Sequence, residues 1–352
     1  MNDKDLPSFP AATPAAPPPR AGFFSLRVRL GGLFAALVAI AVAGTVSAYV
    51  ARLAWFFDAA TSFRIQYFAV LGAGALGCLA LRKWRAAAFC GAFAFLNLCY
   101  ILPIYAALRP EHQATSWVSF IKARRVLLLN VCSQNRDFEA TRALIRTEKP
   151  DFIVLEEVTD GWMRQMAGAK WERGERSGLA ADYPHLKAVP RPDSFGIAIF
   201  SRMPFEKAIA FSSGEADVPF LAARIPLDGT LLTLVAAHPL PPRRADYWHW
   251  RNQQLSSLAQ YAAAQPRPLL LAGDLNMTSW SPSFGFLLRE SRLRDSRQGF
   301  GIQASWPANL WPIRVPLDHV LVSDGIEIRD RRLGPNVGSD HLPVIADFAL
   351  QR

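Results

Sequence analysis

Residues 269–280 read LLLAGDLNMTSW. An apolar run with one glycine leads into Asp274 and Asn276, two positions apart. A continuous apolar run of this length suits a strand buried on both faces. Two readings compete for its polar end. Asp and Asn hydrogen-bond their own backbone, so the pair can simply close a turn. Alternatively, residues i and i+2 of an extended chain face the same way. Both side chains would then reach one ligand at the mouth of a sheet. The second reading needs company from other strands.

The same texture recurs from about Arg125 onward. VLLLNV (126–131), FIVLEE (152–157), FGIAIFS (195–201), LLTLVAA (231–237), PLLLAG (268–273), LDHVLV (317–322) and LPVIADF (342–348) are short apolar runs between turn signals. These patterns predict strands. Helices are expected at about 137–147 and 245–264, the latter with Leu255, Leu258, Tyr261 and Ala262 on one face. The mixture implies a layered α/β or α+β domain over 125–352.

Most of these runs carry an oxygen or imidazole ligand at one end: Asn130, Glu156 and Glu157, His238, Asp274 and Asn276, Asp318 and His319, Asp340 and His341. Alternation sends Glu156 and Glu157 to opposite faces, so at most one joins a site. Taken singly, each has a bland explanation as a strand end, a cap or a surface pair. Taken together, they match phosphate ester cleavage, which needs a hard divalent cation, a positioned water and donors to the phosphoryl oxygens.

The N-terminal third is different. Residues 1–29 open on a Pro/Ala-rich tract expected to be a disordered cytoplasmic tail. Three apolar stretches follow, Leu30–Val50, Ile65–Leu81 (bounded by Arg64 and Arg82) and Ala86–Leu108. Each falls in the window of about 17–25 residues that spans a bilayer. Residues 30–108 therefore form the expected membrane anchor, 109–124 a linker, and 125–352 the catalytic domain. The first stretch is too long for a signal-peptide core, and two more spans come after it. Lys4, Arg20, Arg27 and Arg29 share a face with Arg82, Lys83 and Arg85, cytoplasmic by the positive-inside rule. An odd number of spans then puts the C-terminal domain outside, on a multi-pass inner-membrane protein. Arg109, Lys122, Arg124 and Arg125 oppose this, so the bias is small.

Lysine and arginine number 39 against 29 acids, a net charge of +10 that suits nucleic acid, lipid headgroups or phosphate esters without choosing among them. The four cysteines include no CxxC pair, which argues against a disulfide framework or a thiolate metal site.

The order LLLN, VLEEV, GIAIFSR, AAHP, AGDLN, LDHVLV, GSDHLPV resembles the endonuclease/exonuclease/phosphatase superfamily, which includes DNase I, apurinic/apyrimidinic endonucleases, neutral sphingomyelinases and inositol polyphosphate 5-phosphatases. The N-terminal spans and the HPLPP, GDLNMTSWSP and SWP stretches are most similar to its YafD-like bacterial branch. The resemblance implies a DNase I-like four-layer α/β/β/α sandwich with the site where strand ends of both sheets meet. It implies Mg²⁺, with Mn²⁺ as the substitute, held by Glu157 with Asn130 beside it. Asp274 and Asn276 would hold the attacking water and a phosphoryl oxygen, and His238 would donate to the phosphate. Asp340 would support the metal or His341, and Asp318 would fix the His341 tautomer. Either His341 or Asp274 takes the water's proton. Three positions depart from the usual pattern: Cys132 stands where nuclease relatives often have an acid, Ser194-Phe195 where abasic-site enzymes have a Tyr, and Glu156 where Gln is usual. These weaken a reading as abasic-site repair.

Substrate stays open between nucleic acid and phospholipid or a small phosphoester. A nuclease groove would draw on Arg243, Arg244, Trp248, Trp250 and Arg251, then Trp280, Trp306 and Trp311. The same aromatics near a bilayer would engage headgroups instead. A non-catalytic module of the same fold is the remaining alternative, although every central position holds a chemically competent residue.

Overall fold

The computed structural model describes residues 26–106, 123–175 and 177–351. The expected tail over residues 1–25 and most of the expected linker lie outside the described residues.

Helices α1 (Leu26–Ser47), α2 (Trp55–Ala60), α3 (Arg64–Ala80) and α4 (Trp84–Ile101) build the N-terminal unit. Three candidate spans, Leu30–Val50, Trp55–Ala80 and Trp84–Ile104, are long and apolar enough to cross a membrane. Helix α1 begins at Leu26 rather than at Leu30, and the third span closes at Ile104 through a short turn at Pro103. Arg64 is a further difference from the sequence reading. Instead of flanking a span toward water it is buried, with its guanidinium 3.8 Å from the Tyr100 ring. Its Nη1 donates to Asn97 Oδ1 at 3.4 Å, and Asn97 Nδ2 donates to Thr45 Oγ1 at 2.8 Å. A polar chain thus ties α1, α3 and α4 together, as expected where apolar surroundings leave polar groups only one another.

The C-terminal unit runs β1 (Arg124–Asn130), α5 (Phe138–Glu148), β2 (Phe152–Glu156), α6 (Asp160–Ala167), α7 (Leu179–Asp182), β3 (His185–Val189) and β4 (Ile197–Ser201). It continues with β5 (Lys207–Ser212), β6 (Pro219–Leu227), β7 (Thr230–Ala237), α8 (Ala245–Ala264), β8 (Leu269–Asp274) and α9 (Pro282–Ser291). It closes with β9 (Arg294–Asp295), β10 (Asp318–Val322), β11 (Ile326–Leu333) and β12 (Val344–Leu350). One six-stranded sheet has the order β11-β12-β1-β2-β4-β3 and the other β5-β6-β7-β8-β10-β9.

The sheets pack face to face. Val126, Leu128, Phe152 and Val154 of one meet Leu234, Ala236, Leu270 and Val320 of the other. The alternate residues Leu127, Leu129, Ile153 and Leu155 pack outward on α5 and α6, while Leu269 and Leu271 pack on α8 and α9. Burial on both faces is why these strands are continuously apolar. The result is the expected four-layer α/β/β/α sandwich.

Every predicted strand forms. The structure adds β3, β5, β6, β9 and β11. Strand β6, PFLAARIPL, contains two prolines, which normally count against a strand. Strands β3, β5 and β11 sit at or beside sheet edges and are only partly buried, so they lack the apolar signal.

Candidate active site

Pairing register brings the polar strand ends to one rim. Asn130 of β1 pairs with Glu156 of the parallel β2, which pairs with Ile197 of the antiparallel β4. In the second sheet Asp274 of β8 pairs directly with Asp318 of the antiparallel β10. Parallel strands end, and antiparallel ones begin, at the same side. His341, just before β12, and His238, just after β7, arrive at the same rim.

The opening stretch does close a turn, and that turn corrects the extended geometry expected for Asp274 and Asn276. Strand β8 stops at Asp274, and Asn276 lies beyond it with φ +51°. The Asn276 N–H donates to Asp274 Oδ1 at 2.9 Å, an Asx turn. Leu275 turns into the outer core, and Asn276 Nδ2 donates to the Pro239 carbonyl at 2.9 Å. The turn, not an extended i/i+2 repeat, brings Asn276 back to the cavity beside Asp274.

At the centre, His341 Nδ1 lies 2.9 Å from Asp318 Oδ2 and its Nε2 3.5 Å from Asp274 Oδ2. His238 Nε2 approaches the same Asp274 oxygen at 3.6 Å. Burial opposes a charge on His341, but the Asp318 and Asp274 carboxylates outweigh it and push its pKa up to about 10. Burial also raises Asp274, despite the two imidazoles beside it. It opposes ionisation of Asp318 as well, yet the His341 charge and hydrogen bond hold that group below its usual range. The pair is therefore split into an ionised Asp318 bound to imidazolium and a more basic Asp274.

The Glu pair divides at the end of β2, and both members reach the site, against the expectation that at most one would. Glu157 has φ +59° and lines the cavity, its Oε1 accepting from Asn130 Nδ2 at 3.1 Å and its Oε2 from the Ser133 N–H at 3.0 Å. Glu156 is fully buried between the sheets, where its Oε2 accepts the Asp274 N–H at 2.9 Å. Burial and then the Asp274 charge push its pKa well above the usual carboxylate value. Gly273 permits this approach, since a Cβ there would lie 1.9 Å from the Ala237 carbonyl oxygen and 3.0 Å from Glu156 Oε1. Strand alternation gave Glu156 no reason to touch Asp274; only the meeting of two sheets does.

Asp340 is exposed at the rim, and its Oδ2 accepts from Trp306 Nε1 at 3.1 Å. It makes no contact that would orient His341; Asp318 does that. Ser339, just before β12, donates to the Asn130 carbonyl of the neighbouring β1 at 2.7 Å. Glu157, His238, Asp274, Asn276, Asp340 and His341 line one cavity of about 670 Å³, with Asn130 and Asp318 bonded immediately behind. Cys132, Glu157, Ser194 and Asn276 on its rim all have left-handed φ without being glycine. Each costs about 1–2 kcal/mol, and such strain clusters at functional sites.

An oxygen-ligated cation fits this rim. Glu157, Asn130 and Asp340 offer the carboxylate and amide oxygens that Mg²⁺ or Mn²⁺ prefers. Asp318 Oδ1 is buried and accepts no hydrogen bond. Among the described residues, Asp274, Asp318 and His341 also form a compact buried cluster with ligand atoms within 4.8 Å of one another.

Several expected groove residues face elsewhere. Arg251 is buried in an ion pair with Asp58 of α2, Trp248 Nε1 donates to the same carboxylate at 3.0 Å, and Trp280 Nε1 donates to the Tyr100 carbonyl at 3.0 Å. These side chains hold the N-terminal helical unit. Trp250 donates to Glu215, and Arg244 pairs with Asp246. Arg243 and Trp306 do line the cavity.

The family model described as Endonuclease/Exonuclease/phosphatase family matches residues 127–341. An endonuclease/exonuclease/phosphatase from Beutenbergia cavernae is similar at 18% identity and TM-score 0.51, over 65% of this chain and 72% of that one. A protein of the same description from Bacteroides vulgatus gives 16% and 0.51, over 65% and 100%. D. rerio TDP2, complexed with single strand DNA product, gives 16% and 0.52, over 64% and 99%. At these identities the likeness is one of fold. No curated protein matches the chain. The matched segment contains every strand end of the cavity rim from Asn130 to His341, and the chain belongs to the endonuclease/exonuclease/phosphatase family of phosphoester hydrolases.

Proposed function

We propose that the chain is a membrane-anchored, Mg²⁺-dependent phosphodiester hydrolase working by in-line attack of water. The observation that carries this reading is the buried cluster of Asp274, His341 and Asp318, with His341 Nδ1 2.9 Å from Asp318 Oδ2 and Nε2 3.5 Å from Asp274 Oδ2. Environments that push two titratable groups apart assign acid and base. Asp274, the more basic carboxylate, takes the proton of the attacking water, and Asn276 beside it orients that water. The His341 imidazolium, held by Asp318, faces the developing phosphoryl charge together with His238. Glu157, with Asn130 and Asp340, would hold the metal, which when bound supplies Lewis-acid stabilisation of the phosphoryl oxygens.

Residues 26–104 form the anchor of this reading and 124–352 the enzyme. The odd number of spans and the basic N-terminal segment favour an inner-membrane protein with its catalytic domain outside the cytoplasm.

The test is hydrolysis of bis-p-nitrophenyl phosphate by the full chain in detergent. Mg²⁺ should support turnover, EDTA should abolish it, and Asp318→Asn should lower kcat by about 10²–10⁴-fold. Equal turnover in EDTA, or an unaffected Asp318→Asn variant, contradicts the proposal. Nucleic acid is the second reading, favoured by the DNA product bound to the similar D. rerio protein.

A further inference from the structure

The cavity is not built by the catalytic domain alone. Trp55, Ala59, Ser62 and Phe63, from α2 and the turn after it, form one of its walls. These residues open the second candidate span, Trp55–Ala80, and so stand at one end of it. The wall is fixed in place. Asp58 of α2 pairs with the buried Arg251 of α8 and accepts from Ser281 Oγ at 2.7 Å, while that hydroxyl also caps α9. At the end of α4, the Ile104 carbonyl accepts the Gly299 N–H at 2.9 Å.

A second element leads from the cavity toward the same plane. Trp306 and Val315 line the cavity and pair with each other across the base of a loop. Its tip exposes Leu310, Trp311 and Ile313, with Trp311 77% exposed. Beside the tip, Gln66 at the start of α3 donates to the Arg314 carbonyl at 3.0 Å and the Pro312 carbonyl at 3.2 Å. An exposed Trp flanked by aliphatic residues, next to a span's first turn, belongs in the membrane–water interface. Leu53 and Phe56, on the anchor side, are exposed as well.

The charge inside the cavity decides between ligands. Arg243 is the one lysine or arginine among the described lining residues, against Glu157, Asp193, Asp274 and Asp340. A polynucleotide needs a basic track for successive phosphates, and this cleft supplies a place for one. We propose that the substrate is a membrane amphiphile: one phosphodiester enters the cavity from headgroup depth while its apolar part stays in the bilayer between α2 and the 306–315 loop. This rests on the phosphodiesterase reading above and names its substrate class. Water's oxygen bonds to phosphorus, one P–O ester bond breaks, and water's two protons end on the released alcohol and on the phosphate product, which loses its own to solvent.

The experiment uses the full chain with Mg²⁺ in mixed micelles of phosphatidylethanolamine and phosphatidylglycerol, beside bis-p-nitrophenyl phosphate and single-stranded and plasmid DNA. Lipid hydrolysis should exceed DNA cleavage in kcat/KM. Trp311→Ser, on the exposed tip, should lower the lipid-to-soluble-ester ratio of kcat/KM about tenfold, mainly through KM for lipid, and Phe63→Ser should move the ratio the same way. Hydrolysis of the soluble ester without lipid, preference for DNA, or an unchanged ratio in both variants overturns this inference and leaves the phosphodiesterase reading standing. Silence on all substrates overturns both.

Discussion

Glu156 of the first sheet accepts the backbone N–H of Asp274 of the second at 2.9 Å, so a buried acid with a raised pKa helps set the position of the residue assigned as base. A protonated carboxyl and an amide have nearly the same shape. Glu156→Gln should therefore keep turnover near that of the full wild-type chain, whereas Glu156→Ala should lose both turnover and stability. A raised folded pKa contributes stability that is complete below the usual value of 4.5 and is lost as pH rises toward the raised value. Urea unfolding in detergent should show that decline in the wild type and a smaller one in Glu156→Gln.

Glu157 lines the cavity and accepts from Asn130 Nδ2 at 3.1 Å. Replacing it by Gln keeps its shape but removes the charge that would face a cation. Glu157→Gln should raise the Mg²⁺ concentration for half-maximal rate by about 10–100-fold, in line with the cost of disturbing a metal's protein partners. Titrating Mg²⁺ in the bis-p-nitrophenyl phosphate assay measures this directly. An unchanged midpoint would remove Glu157 from the metal site.

His319, next to Asp318 on β10, faces the other way and packs on Phe284, with Nε2 2.8 Å from the Met277 carbonyl. Burial, reinforced by the Arg297 charge, lowers its pKa from 6.5 to about 4. The unfolded chain binds this proton first, so stability is complete above about pH 6.5 and falls as pH drops toward 4. The expected loss is about 3 kcal/mol. His319→Gln, which keeps an N–H for Met277, should show a shallower acid limb in unfolding measurements.

Asp58 and Arg251 couple the N-terminal helices to the C-terminal domain through a buried pair. Truncating one member strands the other charge, at a cost of about 3–5 kcal/mol. Asp58→Ala should raise hydrogen exchange in α2 and at the start of α8. Exchange equal to that of the wild type would mean that the two units stay docked without this pair.

Much of this was legible in the sequence, for definable reasons. Strands buried on both faces announce themselves, as LLLAGD and VLLLN do, and their polar terminal residues stand out against that background. Alternation rightly set Glu156 and Glu157 apart, although the left-handed turn at Glu157, not the strand repeat, brings that side chain into the cavity. What escaped depends on surfaces meeting far along the chain. Nothing local marks Glu156 as a partner of Asp274, 118 positions away. Arg251, Trp248 and Trp280 have the composition of a nucleic-acid groove, yet they bind Asp58 and Tyr100 of the N-terminal helices. The i/i+2 argument for Asp274 and Asn276 reached the right neighbours by the wrong geometry, because an Asx turn and an extended strand both bring alternate residues together.

The most direct test compares one chemical change at two adjacent carboxylates. Asp274→Asn and Glu156→Gln each convert an acid to its amide within the same buried cluster. Measured on bis-p-nitrophenyl phosphate with saturating Mg²⁺, Asp274→Asn should lose about 10³-fold or more in kcat, while Glu156→Gln stays near wild type. Retained turnover in Asp274→Asn, or equal losses in the two variants, would contradict the assignment of Asp274 as the base and of Glu156 as its buried support.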